Sequence, residues 1–121
     1  MITGAHLMFF SPDPDADRAF LRDVLGWPFV HAASPDDPWL IFRLPPAEMG
    51  VHPTDGAAST TLYLMCDDLA STVADLRARG GEIVGEPEQQ RWGAVTAVRL
   101  PSGAEIGLYE PRHATAHDTE T

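Results

Sequence analysis

The stretch Arg99-Leu100-Pro101-Ser102-Gly103-Ala104-Glu105-Ile106-Gly107-Leu108-Tyr109 decides how this chain is read, because two blocks within it occur twice. Arg99-Leu100-Pro101 repeats Arg43-Leu44-Pro45 at an offset of 56, and Ala104-Glu105-Ile106-Gly107-Leu108 repeats Ala47-Glu48-Met49-Gly50-Val51 at 57. Further upstream, Asp68 matches Asp13 at 55. An offset that drifts by one residue at a time is what loop insertions leave in an internal duplication.

The order of elements repeats as well. His6 to Phe10 is an apolar run too short for a helix and reads as a strand. In Ser11-Pro12-Asp13-Pro14 the Asp stands where an N-cap belongs and Pro14 falls at the first helical position. Ala16, Phe20 and Val24, with Ala19 and Leu25, then recur at helical spacing up to Gly26. Strands are expected over Pro28 to Ala32, Pro38 to Leu44 and Glu48 to His52, between Pro-rich breakers. The second half offers Thr60 to Cys66 as strand, Asp68 as cap, Leu69 to Arg79 as helix and Gly80-Gly81 as stop. Strands follow near Glu82 to Val84, Ala94 to Leu100 and Glu105 to Tyr109. The expectation is one α+β domain over residues 1–112, built from two βαβββ modules of about 1–56 and 57–112. Residues 113–121 follow as a polar tail expected to fray, and its His113 and His117 were given no role.

Strand side chains alternate between faces. Leu62, Leu64 and Cys66 are assigned to the helix-covered face and Thr61, Tyr63 and Met65 to an open one. In the final strands Met49 and Val51, or Ile106 and Leu108, face the helix; Glu48, Gly50 and His52, or Glu105, Gly107 and Tyr109, face away. The lone Cys66 is thereby expected to be a buried apolar filler, not a nucleophile.

Composition mostly excludes. Eighteen Asp and Glu against eight Arg give a net charge of −10, with no Lys at all, so lysine Schiff-base chemistry is impossible and a phosphate backbone would be repelled. Nucleic acid is not an expected partner, whereas an acidic field can attract a cationic small molecule. One cysteine suits a reducing compartment, no apolar run reaches the length of a membrane helix, and the start lacks signal-peptide features, so a cytoplasmic location with no membrane partner is expected. No Gly-rich phosphate loop, Cys pair or serine nucleophile motif is present.

With its duplicated modules, the stretch from Gly4 to Asp13, the Phe20 to Gly26 helix end and the closing Leu100 to Pro111 hairpin, the chain resembles the vicinal oxygen chelate superfamily, which includes glyoxalase I, extradiol dioxygenases and bleomycin-resistance proteins. The resemblance covers residues 4–111. It implies a curved eight-stranded mixed sheet around an open cavity, and a homodimer. Metal-dependent members take ligands from the first and last strands of each module, and the resemblance places His6, Gly50, Thr61 and Gly107 at those positions. One credible ligand in four falls short of the three that even an open site needs. Glu48, His52 and Glu105, two residues along the same strand faces, are the displaced alternative, for Fe, Ni, Mn or Zn.

The reading that follows is a small-molecule-binding protein resembling the drug-sequestering branch, without a metal or other cofactor, for an aromatic or cationic ligand. The alternative is a divalent-metal-dependent glyoxalase or extradiol-dioxygenase-like enzyme using His6 with the displaced ligands. A metal-free isomerase or lyase is a third. Glycines at matching places in two strands allow something to approach the backbone closely. Around Gly50 and Gly107 the pattern places Met8, Phe10, Tyr63, Met65 and Tyr109, with Trp39 and Trp92 as walls and His6, Glu48, His52 and Glu105 as sparse polar groups. The plain alternative is that these apolar side chains only fill a core and the glutamates sit in water at its rim.

Overall fold

The computed structural model describes Met1 and residues 3–118. The second half forms as expected. Strand β3 (Tyr63–Met65), helix α2 (Leu69–Ala78) and strands β4 (Glu82–Gln90), β5 (Gly93–Arg99) and β6 (Glu105–Pro111) make a four-stranded sheet in the order β3-β6-β5-β4. The β3–β6 pairing is parallel and the other two are antiparallel. Helix α2 starts because Asp68 accepts from the Ser71 N–H at 3.1 Å while the Glu110 carboxylate accepts from the Leu69 N–H at 3.0 Å. It stops at Gly80, whose φ of +90° lies where a side chain would be strained.

Helix packing sorts the faces. Leu69, Val73 and Leu76 of α2 pack on Val98, Ile106 and Leu108, with Cys66 also in this cluster and Leu62 and Leu64 against it. That matches the alternation read from the sequence, and Cys66 is buried as expected. Burial pushes its thiol pKa up, which keeps it out of the reactive thiolate form.

The first half departs from expectation. Helix α1 (Pro14–Asp23) forms, capped by Asp13, and strands β1 (Phe29–His31) and β2 (Leu40–Phe42) pair as a separate antiparallel hairpin. His6 to Phe10 and Glu48 to His52 are not strands, so among the described residues six strands in two sheets stand in place of the expected eight-stranded one. Phe10, Met49 and Val51 are 88%, 88% and 94% exposed. The apolar residues of these segments suit a strand, but a strand exists only when a neighbour accepts its backbone hydrogen bonds.

Helix α1 joins the two halves. Phe20 enters the second-half core, with Leu21, Val24 and Leu25 packed against it. Asp17, 4% exposed, accepts from the Ser102 N–H in the β5–β6 turn at 3.1 Å. Arg79 after α2 donates to the Val24 carbonyl at 3.2 Å. Replacing Asp17 with Ala leaves the partly buried Ser102 amide without its acceptor. A loss of about 1–3 kcal/mol is expected in chemical denaturation, with the far-ultraviolet spectrum unchanged.

Candidate functional site

Away from the helices the sheet carries a cluster of rings. Tyr63 meets Tyr109 edge-on at 5.7 Å and 89°, Trp92 meets Tyr109 at 5.2 Å and 78°, and Tyr63 meets Trp92 at 6.1 Å and 80°. Register explains the first pair: Tyr63 stands opposite Gly107 across the parallel β3–β6 ladder, and Tyr109 follows two residues along β6. A Cβ on Gly107 would lie 2.2 Å from the Tyr63 ring. The space at Gly107 is therefore taken by Tyr63, where the sequence reading left it as a bare floor for a ligand. Trp92 arrives from the β4–β5 turn, and its carbonyl is held by the Arg112 N–H at 2.8 Å.

Tyr109 is 9% exposed, while Tyr63 and Trp92 are 44% and 41% exposed, so the cluster is open toward solvent on one side. Burial raises the Tyr109 phenol pKa, and the neighbouring Glu48 carboxylate raises it further. Glu48 comes from the segment following the β1–β2 hairpin and is held by residues beyond β6. The Ala116 N–H donates to its Oε2 at 2.6 Å, and His113 Nε2 and His117 Nδ1 lie 3.9 and 4.0 Å from its two oxygens. His113 also hydrogen-bonds the Tyr109 hydroxyl at 3.3 Å, with the two rings tilted by 31° at 6.0 Å.

Of the residues named from sequence, the fold thus brings together Tyr63, Trp92, Gly107, Tyr109 and Glu48. Met65 stands opposite Tyr109 on β3 and is partly buried. The others go elsewhere. Trp39 lies under the Arg18 guanidinium, 5.2 Å from its ring centroid, beside a groove of about 330 Å³ between α1 and the β1–β2 hairpin. Glu105 faces Arg99 at 3.7 Å, and His52 hydrogen-bonds the Pro53 carbonyl at 2.7 Å. His6, Met8, Phe10 and Gly50 lie in exposed segments without strand pairing.

His113 and His117 were missed. The tail containing them does not simply fray: residues 116–118 form a short 3-10 helix, while 119–121 lie outside the described residues. The available signal was His113 four residues after Tyr109 and His117 four after that, directly beyond the last strand.

Among the described residues, no group of three His, Cys, Asp or Glu side chains is placed to hold a metal ion. The family positions supply one imidazole, one hydroxyl and two glycines, and the Tyr63 ring covers Gly107. This donor set does not fit a divalent metal. Among the described residues, no helix is long and apolar enough to cross a membrane.

Residues 4–108 match the family described as the Glyoxalase/Bleomycin resistance protein/Dioxygenase superfamily, and the chain belongs to it. No curated protein matches the chain. Among solved structures, TnmS3, an antibiotic binding protein from Streptomyces sp. CB03234, is 24% identical with a TM-score of 0.61, over 92% of this chain and 99% of that one. A lactoylglutathione lyase from Agrobacterium tumefaciens is 16% identical with a TM-score of 0.62, over 89% and 92%. A superfamily member from Sphaerobacter thermophilus DSM 20745 is 21% identical with a TM-score of 0.61, over 90% and 98%. These likenesses show a shared fold.

The phenol gives a test of the site's electrostatics. Glu48→Gln removes the negative charge beside Tyr109, so its pKa is expected to fall part of the way toward the ordinary value of about 10. Burial keeps the remainder. Ultraviolet absorbance of phenolate, with Tyr63→Phe isolating Tyr109, reads the change. A raised phenol pKa favours the folded state below the unfolded-chain value, and that advantage is lost as the pH climbs through the folded one. Alkaline unfolding of Glu48→Gln is therefore expected to depend less on pH in that window.

Proposed function

We propose that the protein is a small-molecule-binding protein of the drug-sequestering kind, holding a planar aromatic cation against Tyr63, Trp92 and Tyr109 with Glu48 as counter-charge. The carrying observation is the three-ring cluster, open on one side and bordered by a carboxylate that is only 15% exposed. Aromatic faces attract cations, and a carboxylate near them discriminates against anions. The −10 net charge acts in the same direction at long range. A fold shared with an antibiotic binding protein is compatible with this reading, although the same fold is shared with a lyase.

The working form is proposed to be a cytoplasmic homodimer. In the first half Leu7 to Phe10, Met49 and Val51 are large apolar side chains exposed to solvent. Apolar surface of this kind favours a partner, and a second copy of the chain is the partner proposed. Sedimentation velocity is expected to show a dimer, and Met49→Asp with Val51→Asp a monomer.

Ligand binding is tested by fluorescence titration with ethidium as the cationic probe and anilinonaphthalene sulfonate as the anionic one. Ethidium is expected to bind and the anion not. Tyr63→Ala and Trp92→Ala are each expected to weaken ethidium about tenfold, the scale of one desolvated cation–aromatic contact. Equal affinity in wild type and in the Tyr63→Ala, Trp92→Ala double variant overturns the assignment.

A further inference from the structure

The segment after β6 does something that the binding reading leaves unexplained. Residues 112–118 turn back across the aromatic cluster and reach Glu48, 68 positions earlier in the chain than Ala116. Its contacts include the Arg112 N–H to the Trp92 carbonyl, the Arg112 guanidinium to Gln89 and Gln90, the His113 ring and nitrogen against Tyr109, the Ala116 N–H to Glu48, and two imidazoles facing the two carboxylate oxygens. His117 Nδ1 is buried without a hydrogen-bond partner, and its Nε2 lies 3.6 Å from Asp118. Every described residue from 112 to 118 is exposed or only partly buried, so the segment buries no apolar side chain of its own. A connection of that composition belongs to the low-stability end of a structure, where local opening costs least.

We propose that residues 112–118 are a displaceable strap, which closes the site by occupying Glu48 and is exchanged for the cationic group of the ligand. The inference rests on the aromatic-cation reading of this face. The carboxylate that would neutralise the ligand is the one that takes the Ala116 amide and faces both histidines, so strap and ligand compete for it. Opening the strap also removes His113 from the Tyr109 ring and clears that side of the cluster. A closed strap lowers apparent affinity by the fraction of time the site is covered.

The groups facing Glu48 are His113, His117 and the Tyr109 phenol, with Asp118 behind His117.

Two readouts separate this proposal from the binding reading. Amide hydrogen exchange by NMR reports the strap alone: the Ala116 N–H is expected to be protected in the full chain and to exchange at least about tenfold faster in Glu48→Ala. Equal exchange overturns the strap. Ethidium titration reports the competition. Ala116→Pro removes the amide that Glu48 accepts without altering a ring, and a chain ending at Arg112 removes the strap outright. Both are expected to bind ethidium about fivefold more tightly than the full chain. Unchanged affinity in both variants overturns the strap and leaves the binding reading standing. No ethidium binding by any form overturns the binding reading and the competition with it.

Discussion

Strand β6 holds Ile106 and Leu108, 2% and 1% exposed, beneath the sheet among the side chains of α2, and the pleat then leaves Gly107 and Tyr109 on the other side. The aromatic cluster depends on that burial. Were β6 to slip by one residue against its neighbours, Tyr109 would turn into the core and Leu108 into solvent. The core prevents the slip because Val98 in β5 and Leu100 just after it are also almost fully buried. The apolar interior thus holds the aromatic cluster in register.

The site combines parts from distant positions. Tyr63 and Tyr109 come from paired strands, Trp92 from a tight turn, Glu48 from the other half of the chain, and His113 from beyond the last strand. Gly107 lets the two strands carry rings of this size, since its missing side chain is the space in which Tyr63 lies. The ring over Gly107 is part of an aromatic surface. Superfamily membership therefore accounts for the fold, whereas the chemistry has to be read from the side chains themselves.

Most of the second half was legible. Asp68 and Gly80 mark the helix ends, and strict alternation in Thr61 to Cys66 and Glu105 to Tyr109 assigned the two faces correctly. Those signals are local, arising from caps, turns and side-chain period. The first half shows where local signals stop. The apolar run His6 to Phe10 and the alternating Glu48 to His52 both read as strands, yet they form none, because a local pattern states which side chains suit a strand and not which backbone lies alongside. Trp39 was grouped with the other aromatics by residue type and went instead to Arg18, a partner invisible to any periodicity.

By itself, the amino-acid sequence determined the two helices and their caps, the two-faced second-half sheet and the burial of Cys66. These follow from residue chemistry and from spacings within a single element. Tertiary structure decided that Tyr63 fills the space over Gly107, that α1 enters the core of the other half through Phe20 and Asp17, and that Glu48 is met by Ala116, His113 and His117. Each of these joins groups far apart in the chain. Distances of that kind are set by packing the whole chain at once, and no local pattern of residues contains them.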